Sequence, residues 1–223
     1  MLPESVQIGN VSYSVRRVDP SPGLSGETDW ASGQIAVAPW LQGEFAVGVF
    51  IHEVTHALVY ASGQHKDTLR GEEYVSTLGH VLHEIARSNP HLVAYLVDTR
   101  GTPMPSTLTL APYTLDIVIV PEKDLPDDAN TELVPEQMLI KVMAGLHPDM
   151  AAWEILEKAL SFGVYRLRAT ETSDRYSDMV LPVAGLFHDF LMRNPAVTEL
   201  LLAPIQRDPA LQIVVNRDAQ TLA

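Results

Sequence analysis

Two histidines and a glutamate in the order H-E-x-x-H are the residues of this chain best suited to chemistry. His52, Glu53 and His56 lie in the run VFIHEVTHALVYASG, which extends from Val49 to Gly63. On a helix, residues four apart project from one face, so both imidazoles can bind one metal ion while Glu53 lies beside it. This spacing is typical of zinc hydrolases, in which the histidines hold Zn²⁺ and the glutamate takes a proton from water.

A third metal ligand is expected on the following helix, because a zinc ion that keeps one position for water takes three protein ligands. Glu72 lies three residues before Val75 and so projects from the apolar side of that helix, where an unpaired carboxylate would be costly. We predict Glu72 as this ligand, with Glu73 as the alternative. His80, two turns after Glu72, could instead support an oxyanion or replace the glutamate.

The other interpretation of H-E-x-x-H is a helix that carries two surface histidines. The flanking residues disfavour it, because Phe50 and Ile51 precede the motif and Ala57 and Leu58 follow it. Histidines inside such an apolar run are expected to be partly buried and to need polar partners. The sequence therefore favours a metal site over a solvated helix face.

The motif needs a scaffold, and the residues before it predict a small antiparallel sheet. Val6 to Val18 has the pattern of a hairpin with Gly9 and Asn10 in the turn, and a second hairpin is expected around Ala31-Ser32-Gly33. Apolar residues at helical spacing predict that the first helix covers this sheet. The helices predicted in this half run from about Glu44 to Ala61, from about Gly71 to Ser88 and from His91 to Val97.

A stretch rich in threonine, proline and serine, residues 100–112, predicts a linker before a second group of elements. Residues 113–120 alternate like a strand, and residues 137–142 are either another strand or a helix. Helices are expected over 150–163, up to Arg193-Asn194-Pro195 and over 196–202. Pro182 predicts a late start for the second of these helices.

The second half resembles the first at an offset of 105 residues. The identical pairs are Val75/Val180, His83/His188, Asn89/Asn194, Pro90/Pro195 and Leu96/Leu201. The order of elements agrees as well, which favours a diverged tandem repeat over a chance match of two amphipathic helices. Where the first half has its motif, the run from Trp153 to Lys158 contains no histidine. Because His83 recurs as His188 without the motif, we expect it to be structural.

Composition restricts the partners and the location of the protein. The chain has 28 acidic and 15 basic residues, a formal net charge of −13 and no Lys/Arg run, so we expect no nucleic-acid or membrane partner. It has no cysteine, which leaves His, Asp and Glu as metal ligands. No signal-peptide or membrane-spanning pattern is recognisable, and we expect a cytoplasmic protein. The sequence leaves the oligomeric state open.

Three segments together resemble a known group of enzymes. They are IHEVTHAL from Ile51, EEYVSTLG from Glu72 and SNP from Ser88, and they follow predicted strands. In these features residues 6–97 are similar to the minimal gluzincin-type zinc metallopeptidases of the ImmA/IrrE-like kind, which are common in phages and mobile elements. The chain departs from that group at Gly79-His80 and in its C-terminal half.

The resemblance implies a role for each residue of the motif. His52 and His56 would be zinc ligands, Glu72 the third ligand and Glu53 the catalytic residue. It also implies hydrolysis of peptide bonds in a protein or peptide substrate. The predicted function is therefore that of a zinc-dependent metallopeptidase. The alternative is a non-catalytic structural or interaction protein, for instance a phage or mobile-element component, in which zinc only joins two helices.

The predicted fold class is α+β. A small antiparallel sheet packs on the H-E-x-x-H helix and on a second, Glu-bearing helix, and a degenerate repeat of the same unit without metal ligands follows. Residues 1–99 are predicted to form the metallopeptidase-like domain, residues 100–112 the linker and residues 113–223 the second copy.

Overall fold

A computed structural model of the chain describes residues 1–63, 72–167 and 174–203. These residues form a mixed α+β fold with two four-stranded sheets and six helices, and none of these helices is long and apolar enough to cross a membrane. The first half contains β1 (Ser5–Ile8), β2 (Val11–Arg17), β3 (Gly26–Asp29), β4 (Gln34–Val37), α1 (Gly43–Ala61), α2 (Glu72–Ser88) and α3 (Pro90–Val97). The second half contains β5 (Thr107–Leu110), β6 (Tyr113–Val120), β7 (Thr131–Val134), β8 (Leu139–Met143), α4 (Pro148–Leu167), α5 (Asp174–Arg193) and α6 (Pro195–Leu202).

The first sheet is mixed, whereas the sequence predicts an antiparallel sheet. Both predicted hairpins are present, since β1 pairs antiparallel with β2 and β3 pairs antiparallel with β4. The strand order is β1-β2-β4-β3, so β4 lies beside β2 and pairs with it in parallel. Burial explains this order, because β4 contributes the fully buried Ile35 and Val37 to the core while the more polar β3 takes the edge.

The second sheet has the corresponding order, β5-β6-β8-β7, again with a parallel central pair. It corrects the sequence analysis in two places. Part of the predicted linker, residues 100–112, forms β5, in which the buried Leu108 and Leu110 alternate with threonines. β7 is not expected from the sequence, and the ambiguous residues 137–142 contribute to the strand β8. A further difference is that α5 runs through Pro182. The division into two domains stays a prediction.

α1 and α2 cross at a glycine. A Cβ atom at Gly79 would lie 3.1 Å from the Cα of His52 and 3.3 Å from the Oγ1 of Thr55, so a larger residue would push the helices apart. The apolar faces of both helices join a group of buried residues that extends without a break through both halves. The H-E-x-x-H helix is therefore held against α2 on one side and the first sheet on the other.

Each half seals the edge strand of the other half through an asparagine. The Asn89 amide accepts a hydrogen bond from the Thr109 backbone N–H at 2.6 Å and donates one to the Thr109 carbonyl at 2.8 Å. The Asn194 amide pairs in the same way with Gln7, at 2.7 and 2.8 Å. Because β1 and β5 lie at sheet edges, these amides satisfy backbone groups that an edge leaves open. The two Asn-Pro sequences thus fasten the halves together.

Replacing either asparagine is expected to destabilise the protein. Asn89→Ala or Asn194→Ala should lower the free energy of unfolding by about 2–3 kcal/mol, because each change leaves part-buried backbone groups without a partner. Urea unfolding followed by circular dichroism measures this loss. The exposed turn residue Asn10 provides the control, since Asn10→Ala should change stability by less than about 0.5 kcal/mol. Equal midpoints for all three variants would contradict the proposed fastening.

His83 and His188 occupy corresponding positions but have different partners. The Nε2 of His188 lies 2.8 Å from the Leu96 carbonyl oxygen and so links α5 to α3. The Nε2 of His83 lies 3.7 Å from the Glu44 carboxylate, which forms an ion pair with Arg87. Burial lowers the pKa of His83 from its ordinary value of 6.5, and the charge of Glu44 opposes this shift. Burial therefore favours the neutral form of the His83 imidazole in the folded protein.

The low pKa of His83 predicts a loss of stability in acid. Below pH 6.5 the unfolded chain binds a proton at this residue while the folded chain does not, so the free energy of unfolding falls as the pH drops. Arg87 and His80 act in the same direction, and Glu44 acts against them. His83→Asn should lose less stability than the wild type between pH 7 and pH 5 in chelator-treated samples, measured by urea unfolding. Parallel losses in both proteins would refute this assignment.

Candidate metal centre

α1 presents His52 and His56 one turn apart beside β3 and α2. The neighbouring Ile51, Val54 and Leu58 are fully buried, which fixes the orientation of the helix. The imidazoles lie at the margin of this buried face, with 24% and 21% of their side chains exposed and with ring centroids 4.9 Å apart. Both rings can thus be reached by an ion from solvent while their positions are set by the core.

Glu72, the first residue of α2, brings its carboxylate to both imidazoles. Its Oε1 lies 3.0 Å from the Nε2 of His52, and its Oε2 lies 3.1 Å from the Nε2 of His56. The ligand atoms of the three residues lie within 4.8 Å of one another, as a metal site requires. Ligands about 2.0–2.1 Å from a tetrahedral zinc ion are about 3.3 Å apart, so the two oxygen–nitrogen distances are close to those that such an ion requires.

Burial favours the form of His56 that binds metal. It lowers the pKa of His56, and the charge that His52 can carry lowers it further, while Glu72 opposes both effects. An imidazole binds a metal ion only when neutral, so a low pKa keeps this ligand available at lower pH.

The side chain of Glu53 extends from α1 towards β3, and only 4% of the residue is exposed. Burial raises the pKa of Glu53 to about 7, although a hydrogen bond from Thr28 lowers it. The Oγ1 of Thr28 lies 2.8 Å from the Oε2 of Glu53. Gly26 leaves room for this carboxylate, because a Cβ atom there would lie 2.6 Å from its Oε1. A carboxylate with these properties can take up and release a proton near neutral pH.

A pocket of about 310 Å³ opens beside these groups. Residues before, within and directly after β3 form one wall. Residues of α1, together with Glu72 of α2, form the other. The apolar part of the lining includes Leu24, Val49 and Trp30. The polar part includes His52, Glu53, His56 and Glu72. The arrangement thus places three side chains that could hold a cation, and a buried carboxylate, beside an open pocket.

The structure brings together four of the residues singled out in the sequence, namely His52, Glu53, His56 and Glu72. Within the described ranges, the group that could hold a metal ion does not include the alternatives Glu73 and His80. Exposure does not distinguish these residues, because Glu72 is exposed as well. Each helical residue is turned by about 100° from the one before it, so only one of two adjacent glutamates can face α1.

The sequence does not predict a role for Gly26, Thr28 and Trp30, which line the pocket opposite α1. One signal was available, since alternate residues of a strand share a face and Gly26 and Thr28 are two apart. The parallel pairing of β2 with β4 decides whether that face meets α1. Local sequence patterns do not predict this pairing.

Comparisons of this chain with protein-family models, curated proteins and solved structures give no significant match. The resemblance to the minimal gluzincin-type metallopeptidases therefore stays a prediction from the motifs. The His52, His56 and Glu72 group identifies no family, because the same ligand types recur on unrelated folds. Function has to be inferred from the geometry of the site.

The ligand group predicts one zinc ion per chain. His52→Ala, His56→Ala and Glu72→Ala should each abolish stoichiometric binding, measured by dialysis and elemental analysis, because two ligands hold zinc much more weakly than three. Zinc at about 100 times its dissociation constant should stabilise the wild type by about 2.7 kcal/mol. Glu73→Ala and His80→Ala are the matched controls and should keep the zinc. Loss of zinc in a control variant, or its retention without Glu72, would show that the ligand set is different.

Proposed function

We propose that the protein is a zinc-dependent peptidase in which Glu53 is the general base. The observation that carries this proposal is the convergence of three ligand groups and a buried proton acceptor on one pocket. Two imidazoles and a carboxylate suit a catalytic zinc ion with a fourth, open position. Magnesium and calcium prefer sites made of oxygen ligands, so the two imidazoles favour zinc.

In this mechanism Glu53 accepts a proton and then donates it. A bound zinc ion would acidify a water molecule and polarise the substrate carbonyl. Thr28 engages the Oε2 of Glu53, which leaves Oε1 to take the proton from water and pass it to the leaving amine. Because Glu53 is buried, its carboxylate is held in place and shielded from bulk water.

The edge strand β3 offers a surface for an extended peptide. The Ser25 carbonyl accepts a hydrogen bond from the Ala38 N–H at 2.9 Å, and bonded positions alternate along an antiparallel pair. The backbone groups of Gly26 and Thr28 therefore point away from β4, where a substrate strand can pair with them. Such a strand would pass directly over Glu53. This geometry favours a peptide over a compact small molecule as substrate.

We further infer that the two halves are a diverged tandem repeat and that, among the residues described by the structure, the candidate metal site lies in the first half. The strand orders of the sheets correspond, and the offset of 105 residues that aligns the helices also aligns β3 with β7. At this offset the motif positions correspond to Glu157, Lys158 and Ser161. The Glu157 carboxylate lies 2.7 Å from the Lys158 ammonium group and 3.0 Å from the Ser161 hydroxyl. Polar contacts thus take the place of ligands.

The alternative function is a structural or interaction protein in which a metal ion joins α1 to α2. The second half favours it, since the same fold is kept there with Glu157 and Ser161 at ligand positions. In that case Glu53 would have no chemical role. The pocket beside Glu53 favours the peptidase, because a metal site that only joins helices needs neither a cleft nor a buried proton acceptor.

Glu53→Gln separates the two functions. The variant should bind zinc like the wild type but hydrolyse peptides at least about 100-fold more slowly, because an amide cannot accept the proton. The zinc-loaded, full-length protein is incubated with a mixture of synthetic peptides of randomised sequence, and mass spectrometry identifies the products. Glu73→Gln is the matched control and should retain activity.

The opposite result would support the structural function. If Glu53→Gln hydrolyses the same peptides as fast as the wild type, Glu53 is not the general base. If zinc-loaded wild type hydrolyses no peptide while chelation lowers the melting temperature, the metal ion serves stability alone.

A further inference from the structure

The indole of Trp30 forms an exposed aromatic wall at one end of the pocket. It lines the pocket together with the metal-ligand group, and 44% of the residue is exposed. Its ring stacks on Tyr60 with 5.2 Å between centroids and 10° between planes. The same ring meets the edge of the His56 ring at a centroid distance of 6.5 Å. A large apolar surface is thus held beside a proposed zinc ligand.

Hydrogen bonds from the turn also hold the backbone that carries Trp30. The Asp29 carboxylate accepts hydrogen bonds from the Ala31 N–H at 2.9 Å, the Ser32 N–H at 3.3 Å and the Ser32 hydroxyl at 2.6 Å. These bonds close the turn between β3 and β4 around Trp30. A side chain held in this way loses little conformational entropy when a ligand packs on it.

Trp30 follows directly on the strand that a substrate would pair with. β3 runs from Gly26 to Asp29, and Thr28 in this strand contacts Glu53. A strand rises about 3.3 Å per residue, so the distance of 6.5 Å between the Trp30 and His56 ring centroids corresponds to about two residues of an extended substrate. At the other end of the pocket Leu24 and Val49 offer a smaller, aliphatic surface.

We propose that Trp30 is a specificity-determining residue that selects substrates with an aromatic or large aliphatic side chain within two residues of the scissile bond. Tyr60 is the positioning residue that holds the indole flat. This inference rests on the proposed peptidase function, because it names the class of peptide that the same site accepts. Packing of an aromatic substrate side chain on the indole would cover apolar surface that is exposed in the free protein.

Two small chelators test the aromatic wall without any catalytic step. Phenylalanine hydroxamate and alanine hydroxamate carry the same zinc-binding group and differ only in the side chain. Calorimetry on the zinc-loaded full-length protein should show about 10-fold or more tighter binding of the phenylalanine compound, since one apolar group in a pocket contributes a factor of about 10 to 200. Trp30→Ala should remove this preference, and Trp30→Phe should restore most of it.

The chain offers a matched control in Trp40, which is 60% exposed and is not part of the pocket lining. Trp40→Ala should keep both the preference and the zinc content, and Trp30→Ala should keep the zinc content. Equal affinities of the two hydroxamates for the wild type would overturn the proposal. A preference that survives in Trp30→Ala, or is lost in Trp40→Ala, would overturn it as well.

Peptide profiling separates this inference from the function on which it rests. With randomised peptides, zinc-loaded wild type should enrich aromatic and large aliphatic residues within two positions of the cleavage site. Trp30→Ala should reduce kcat/KM for such peptides about 10-fold or more relative to peptides with alanine at that position. Cleavage without this enrichment overturns the role of Trp30 and leaves the peptidase standing. Absence of cleavage overturns the peptidase and the substrate class together, whatever the hydroxamates show.

Discussion

The close packing of α1 on α2 at Gly79 is the constraint on which the candidate site depends. A Cβ atom there would lie 3.1 Å from the Cα of His52, so the two helix backbones meet at the level of the first histidine. Glu72 precedes Gly79 by seven residues, which is about two helical turns, and so lies on the same face of α2. The crossing that Gly79 permits therefore also directs the Glu72 carboxylate to both imidazoles. This backbone contact sets the distance between the two helices that carry His52, His56 and Glu72.

Burial of Glu53 has two opposing effects on its proposed role as a proton acceptor. A proton acceptor is most useful when its pKa is near neutral, and burial raises the pKa of Glu53 to about 7. The same burial makes the charged form costly in the free protein. Thr28 offsets part of this cost through its hydrogen bond, and a divalent cation held by the neighbouring histidines would offset more. Gly26 supplies the space, so the edge strand and the motif helix shape the carboxylate's surroundings together.

The sequence predicts the parts of this protein that depend on local patterns. Both hairpins of the first half, the long helices and the two Asn-Pro junctions follow from turn residues, periodicity and proline. The position of Glu72 beside the histidines could be predicted because an apolar stripe defines which face of α2 meets α1. Its role as a metal ligand stays a prediction. The parallel pairing of β2 with β4 could not be predicted, since these strands are separated along the chain by a loop and by β3. The reason is different for β5, which pairs with the adjacent strand β6. Its alternation of threonine and leucine lies in a stretch whose prolines and threonines favour a linker.

Contacts between the halves make the second half a structural support for the first. Asn194 seals β1, the strand at the edge of the first sheet, and α5 packs on both β1 and α1. α4 meets α2 at Gly163, where a Cβ atom would lie 2.4 Å from a Val81 methyl group. The second half is thus part of the core that supports the motif helix. This support comes from the packing of α4 and α5, so it is compatible with both the proposed peptidase and the structural alternative.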